Sequence, residues 1–193
     1  MSEVSTRSKA MNKKFFLKWV LMGGGVLLRL NWGFAQEESD YAILREIVIN
    51  EFQKEVPAEP SAEPREIIQR FKTTEKKAAL ILEACLDTGA EIDMPLLQSL
   101  IEKKVAISLF TDQAWLEKNA SSLKPLLASG FLALENHGLL CRPLSVNGRR
   151  VKNQAGTANA EEVFEEIEKN ARVIEKFSGR MPRFFKSGFG FYD

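Results

Sequence analysis

Histidine occurs once in the 193-residue chain and cysteine twice, and the formal net charge is only +1. Two cysteines, Cys85 and Cys141, build no disulfide framework; a single disulfide, metal ligation and plain burial stay open for the pair. The near-neutral charge speaks against a dedicated nucleic-acid binder. Long hydrophobic runs are missing too: the apolar stretch Trp19–Leu28 (WVLMGGGVLL) is shorter than the roughly 20 residues that a membrane span needs. Its glycines at 23–25 are not a phosphate loop, because no Gly-Lys-Ser/Thr follows. No internal repeat is visible. What the chain does have is 45% hydrophobic residues against 27% charged ones, enough to bury the core of one ordinary domain.

The charge is uneven. Residues 1–35 hold six Lys/Arg and one acid, leaving 21 basic against 25 acidic residues over 36–193. Arg7, Lys9, Lys13, Lys14 and Lys18 precede the apolar run, and Gly33-Phe34-Ala35 offers small residues where a signal peptidase reads them. Residues 1–35 therefore read as a signal peptide cleaved after Ala35, with an uncleaved membrane anchor and a buried helix as the alternatives. The expected location is the periplasm, cell envelope or exterior.

Residues 36–75 form a second region. Tyr41–Val56 spaces Ile43, Leu44, Ile47, Val48 and Phe52 as an amphipathic helix, and Pro57, Pro60 and Pro64 mark a linker. From Lys76, apolar runs of strand length alternate with helical periodicity, the pattern of a β/α architecture. Strands are expected at Ala78–Glu83, Val105–Phe110 and Phe131–Leu134, with a fourth opening at Arg183–Lys186. Helices are expected after Pro95, with Leu96, Leu97, Leu100 and Ile101 facing inward, and as two short stretches at Asp112–Lys118 and Ser121–Ser129. The longest should run over Ala160–Phe177, between Asn159 as N-cap and Gly179, with Val163, Ile167, Ala171 and Ile174 as its stripe. Residues 135–158 read as a polar connection.

Working residues of β/α folds gather at the carboxyl ends of strands. Those ends hold Glu83, Cys85 and Asp87 after the first strand, Asn136, His137 and Cys141 after the third, and Lys186 after the fourth. The segments E-N-H-G-L-L-C-R-P-L-S-V-N-G at 135–148 and N-A-R-V-I-E-K-F-S-G-R-M-P-R-F-F-K-S-G at 170–188, preceded by L-E-A-C at 82–85, resemble the polysaccharide deacetylase (NodB-homology) family over residues 76–193. The nearest likeness is its exported branch, with T-F-D-A-C and N-H-x-x-x-H-R-P-L-S-V-N-G motifs. The fold implied is α/β, a partial (β/α) barrel.

The resemblance implies hydrolysis of N-acetyl groups on a peptidoglycan- or chitin-like glycan, with a divalent metal, zinc as first choice, activating water beside a carboxylate base. Residue by residue it makes Glu83 the base, in place of an Asp. His137 becomes the first metal ligand, Cys141 stands where the family has a second His, and Asp87 is a candidate third ligand because the family's metal Asp corresponds to Ala84. Lys186 would orient the base where the family has an Arg, without that residue's planar fork of donors. These changes, with a chain ending soon after the third motif, lead us to expect a C-terminally incomplete domain with weakened or lost activity. The alternatives are a non-catalytic relative that binds glycan or a partner at the envelope, and a degraded gene product.

Overall fold

The computed structural model describes residues 26–54, 68, 73–86, 89 and 91–193, with backbone alone for 26–36. The run Trp19–Leu28 lies mostly, and Asp87 and the Pro57–Pro64 linker wholly, outside these residues. Two units are distinguished, residues 1–46 and 47–193.

Helix α1 spans Val26–Phe52. It contains most of the expected amphipathic helix and passes through Ala35 unbroken. Its apolar stripe is not buried: Ile43, Leu44, Ile47 and Phe52 are exposed. Among the described residues no helix is long and apolar enough to cross a membrane.

The larger unit is built on three parallel strands, β1 (Leu80–Ala84), β2 (Ile107–Thr111) and β3 (Leu132–Asn136), in the order β1-β2-β3. Their carboxyl ends are level, with Ala84, Thr111 and Asn136 in register. Phe185 bridges in parallel to Asn136, where the fourth strand is expected to open. Connections between the strands are helical. Helix α2 (Met94–Glu102) starts at Asp93, whose Oδ1 accepts from Leu96 N, with Pro95 in the first turn where its missing N–H is harmless. Leu97 and Ile101 are buried from its stripe, whereas Leu96 faces solvent.

The segment after β2 is one helix, α3 (Gln113–Leu127), not two. The polar run 119–122 suggests a break, but the Asn119 side chain donates to Trp115 O at 2.9 Å, one turn back, and lets the helix pass. Pro125 falls in its last turn, where little of the ladder remains to lose. The polar connection 135–158 carries a short antiparallel hairpin, β4 (Arg150–Val151) with β5 (Gln154–Ala155). Its two-residue strands are too short for any alternation to show.

Helix α4 (Ala160–Ser178) has its caps where the sequence puts them: Asn159 Oδ1 accepts from Glu162 N at 2.9 Å, and Gly179 closes it at φ +74°. Its buried face, however, is Phe164, Glu166, Asn170, Ala171 and Ile174, while Val163 and Ile167 are only half-buried. Two polar residues displace two aliphatic ones because this face meets the strand ends, where backbone groups need partners. The apolar core lies further down, among Leu97, Ile101, Ile107, Leu109, Trp115, Leu116, Leu123, Leu132, Leu134 and Ile174.

Candidate active site

Level strand ends deliver three of the expected site residues to one place. Pleating separates Glu83 from its buried neighbour Ala84, and a Glu83 carboxylate oxygen pairs with Lys186 Nζ. Its other oxygen, Oε2, lies 3.5 Å from His137 Nε2. The ring of His137 is held on its far side, with Nδ1 2.7 Å from the main-chain oxygen of Lys186. A carbonyl only accepts, so Nδ1 carries the proton and Nε2 is the ring atom left to face Glu83. His137 is buried, whereas Glu83 and Lys186 are more than a third exposed.

His137 sits on a rigid base. Its N–H donates to Thr111 O at 3.1 Å. Next to it Asn136 donates to Ile167 O and accepts from Gly138 N, and Asn170 on α4 ties Asn136 Oδ1 to Thr111 O. Asn136 is thus a brace for the loop, not a chemical group of the site.

The segment Arg142–Gly148 is also structural. Arg142 reaches Gly156 O and Glu162, fastening the loop to α4. Ser145 Oγ accepts from Asn147 N and Arg149 N and meets the Asp193 carboxylate, while Thr157 Oγ1 donates to Ser145 O. Gly188, two residues past Lys186, packs flat on this loop: a Cβ there would lie 1.8 Å from Cys141 O. Only glycine lets the segment carrying Lys186 approach so closely.

Cys85 and Cys141 form a disulfide, one of the states left open by the sequence. Their Cα atoms are 6.4 Å apart, inside the usual range of about 4.4–6.8 Å. Both residues are buried, and Asp112 Oδ2 lies 3.6 Å from Cys141 Sγ. Asp112 is a buried carboxylate that the sequence motifs do not single out. It caps α3 by accepting from Trp115 N at 2.7 Å and crosses to β1 by accepting from Leu86 N at 3.1 Å. Its position directly after β2 was the available signal.

Two of the three expected metal ligands, His137 and Cys141, therefore stand together, and Asp87 lies outside the described residues. A carboxylate, His and His donor set does not fit this bonded state. Ala84 has no donor atom, and a sulfur committed to a disulfide is not a thiolate ligand. His137 Nε2 and the Glu83 carboxylate are what remains.

Glu166 was missed as well. Its Oε1 accepts from both Leu140 N and Arg142 N, at 2.9 and 3.0 Å, and Gly138 gives it room, since a Cβ there would come within 2.4 Å of that oxygen. Burial raises its pKa above the ordinary carboxylate value, against the pull of the two N–H donors. An acid whose folded-state pKa is raised stabilises the fold fully below its unfolded value, and this contribution is lost as pH rises through the folded value. Glu166→Gln keeps an oxygen for both donors, so its stability should stay flat across that window where the wild type declines. Urea midpoints measured at successive pH values upward from about 4 test this; parallel curves would show that Glu166 does not titrate there.

The family model for polysaccharide deacetylases matches residues 71–193, from just before β1 to the last residue. The chain belongs to the polysaccharide deacetylase family. No curated protein matches it significantly. Among solved structures it is similar to a pseudoenzyme of the CE4 family from Bacillus anthracis, at 17% identity, TM-score 0.45, over 62% of this chain and 38% of that one. It is similar also to the peptidoglycan deacetylase PdaC from Bacillus subtilis, at 20% identity, TM-score 0.42, over 60% of this chain and 50% of that one. A third is a family 4 acetyl xylan esterase from Clostridium thermocellum in complex with a cobalt ion, at 16% identity, TM-score 0.42, over 58% of this chain and 48% of that one. The chain thus spans two-fifths to half the length of these deacetylase-like structures. Residues 71–193, matched by the polysaccharide deacetylase family model, include Glu83, His137 and Lys186.

Proposed function

We propose that this chain, in its disulfide-bonded form, is a member of the polysaccharide deacetylase family that recognises an N-acetylated glycan but hydrolyses it weakly or not at all. The observation that carries the reading is the state of the metal positions: Ala84 offers no ligand and Cys141 is tied to Cys85. The family's chemistry needs a metal both to activate water and to stabilise the tetrahedral oxyanion, and those tasks are left to His137 Nε2 and Glu83. Glu83 is moreover one methylene longer than an Asp, and displacements near 1 Å at a reacting centre lower rates by about a hundredfold.

The strand ends keep features suited to a sugar. Lys186 and Glu83, a donor and an acceptor, are more than a third exposed there, and Phe184 and Phe189, close to Lys186 in the chain, are about half exposed. Exposed rings of this kind pack against the apolar face of a pyranose while polar groups fix its hydroxyls. A disulfide is the state expected of an exported protein and, with the basic residues before the apolar run, supports reading the glycan, peptidoglycan- or chitin-like, as one of the cell envelope or beyond it.

The test pairs binding with turnover. The oxidised chain should shift the NMR signals of chitin-derived or peptidoglycan-derived oligomers, and it should release no acetate above background with zinc or cobalt present. Ready acetate release that disappears in His137→Ala would establish a metal hydrolase instead. Absence of both binding and release would remove the glycan from the reading.

A further inference from the structure

The disulfide lies among sulfur, nitrogen and oxygen donors that differ from a carboxylate, His and His set. The sulfurs of Cys85 and Cys141 and a ring nitrogen of His137 lie within 4.8 Å of one another, all three residues being buried. Asp112 Oδ2 stands beside Cys141 Sγ on the same side of the strand ends. The four residues follow three level strands: Cys85 leaves β1, Asp112 leaves β2, His137 leaves β3, and Cys141 lies four residues beyond His137. We propose that the disulfide covers a zinc site of Cys85, Cys141, His137 and Asp112, which opens when the disulfide is reduced.

Zinc is held tetrahedrally with Zn–S near 2.3 Å and Zn–N near 2.0 Å, so its ligand atoms sit about 3.5 Å apart. Parting the two sulfurs to that spacing is a side-chain movement; Asp112 Oδ2 is 3.6 Å from Cys141 Sγ, and a His137 ring nitrogen is within 4.8 Å of both sulfurs. The second shell is in place: Lys186 O fixes the His137 ring through Nδ1–H and leaves Nε2 to ligate, and N–H groups of Leu86 and Trp115 fix the Asp112 carboxylate. Two thiolates and the Asp112 carboxylate more than offset the dication, and the N–H groups of Leu86 and Trp115 take up part of the excess negative charge on Asp112. Soft sulfur donors favour zinc over the hard cations that a carboxylate-rich site takes.

The chemistry balances without an unnamed partner. A dithiol gives two electrons and two protons to the Cys85–Cys141 bond through a mixed disulfide, leaving two cysteine thiols and an oxidised, cyclised reductant. Zinc then displaces both thiol protons as it binds. Oxidation runs the other way and expels the metal. The chain would exist in two forms, one locked by a covalent bond and one by a metal, exchanging on thiol–disulfide exchange.

The experiment compares the full chain in its two redox states, so no variant need fold for the first readout. The chain is reduced, freed of reductant under anaerobic conditions, incubated with zinc, desalted and assayed for metal and free thiols; cobalt gives a spectroscopic replicate. One zinc per reduced chain, none per oxidised chain, and a cobalt band from thiolate charge transfer are expected. His137→Ala and Asp112→Asn, which keep both thiols, should each weaken zinc binding tenfold or more. Equal zinc in both redox states, or no zinc on a chain with two titratable thiols, overturns the proposal. Acetate release plays no part in these readouts, so the glycan reading and this one fail separately.

Discussion

Replacing both cysteines, Cys85→Ser with Cys141→Ser, should lower the free energy of unfolding by about 4 kcal/mol and the melting temperature by about 15 °C. The bond joins residues 56 apart, and closing a loop of that length removes conformational freedom chiefly from the unfolded chain. The effect should therefore appear in thermal or urea unfolding without a matching change in the folded far-ultraviolet spectrum. Cα atoms already at bonding distance mean that the native backbone need not move when the bond is cut. A change below about 1 kcal/mol would mean that the unfolded chain is already restricted near the two cysteines, or that the native bond opposes its surroundings. Zinc added to the reduced wild type should recover part of the loss, because a ligand that binds only the folded state stabilises it; the double Ser variant should gain nothing.

Glu135→Ala should lower stability by about 3–5 kcal/mol, an effect of similar size with a different origin. Glu135 is fully buried on β3, and one of its oxygens accepts from Arg183 N and Phe184 N at 2.7 and 3.0 Å. Its other oxygen lies 3.4 Å from Arg180. Truncation strands two backbone donors, leaves the Arg180 guanidinium with its bond to Leu134 O, and opens a cavity. Glu135→Gln retains an acceptor for the two donors and should lose only about 1–2 kcal/mol. Equal losses in the two variants would mean that the charge, not the pair of N–H bonds, is what matters. Since Arg183 and Phe184 open the segment that carries Lys186, NMR signals of His137 should shift more in the Ala variant than in the Gln variant.

The alternation of strands and helices was readable because each core residue declares itself by period: Leu80 and Leu82, or Ile107 and Leu109, alternate, while α4 announces both ends with Asn159 and Gly179. Strand limits differ by a residue or two at both ends, the carboxyl ends lying where the apolar runs give way to Glu83-Ala84, Thr111 and Glu135-Asn136. There burial is decided by neighbours from other strands, which a local pattern does not contain. The same reason hides Glu135, Glu166 and Asp112. Each is an acid whose partners are backbone N–H groups 24 to 49 positions away or in a following helix, so nothing adjacent in sequence marks it as satisfied.

For the site, Glu83, His137 and Lys186 are singled out by their motif positions, and their meeting follows from level strand ends. The cysteine pair could not be settled that way, since proximity over 56 residues is a property of the fold alone. The stripe on α1 shows the converse limit: spacing identified the helix, yet it carries no information about whether another surface is there to cover it.

Lys186 holds the site by two independent handles. Its ammonium group grips Glu83, and its peptide oxygen grips His137. Only the first is encoded by the side chain. Any residue at position 186 would still present the second, so mutation there can loosen the carboxylate while leaving the imidazole orientated. A lineage can thus drift at its cationic position for a long time and still keep a ring nitrogen aimed into the cleft, heritable through the backbone.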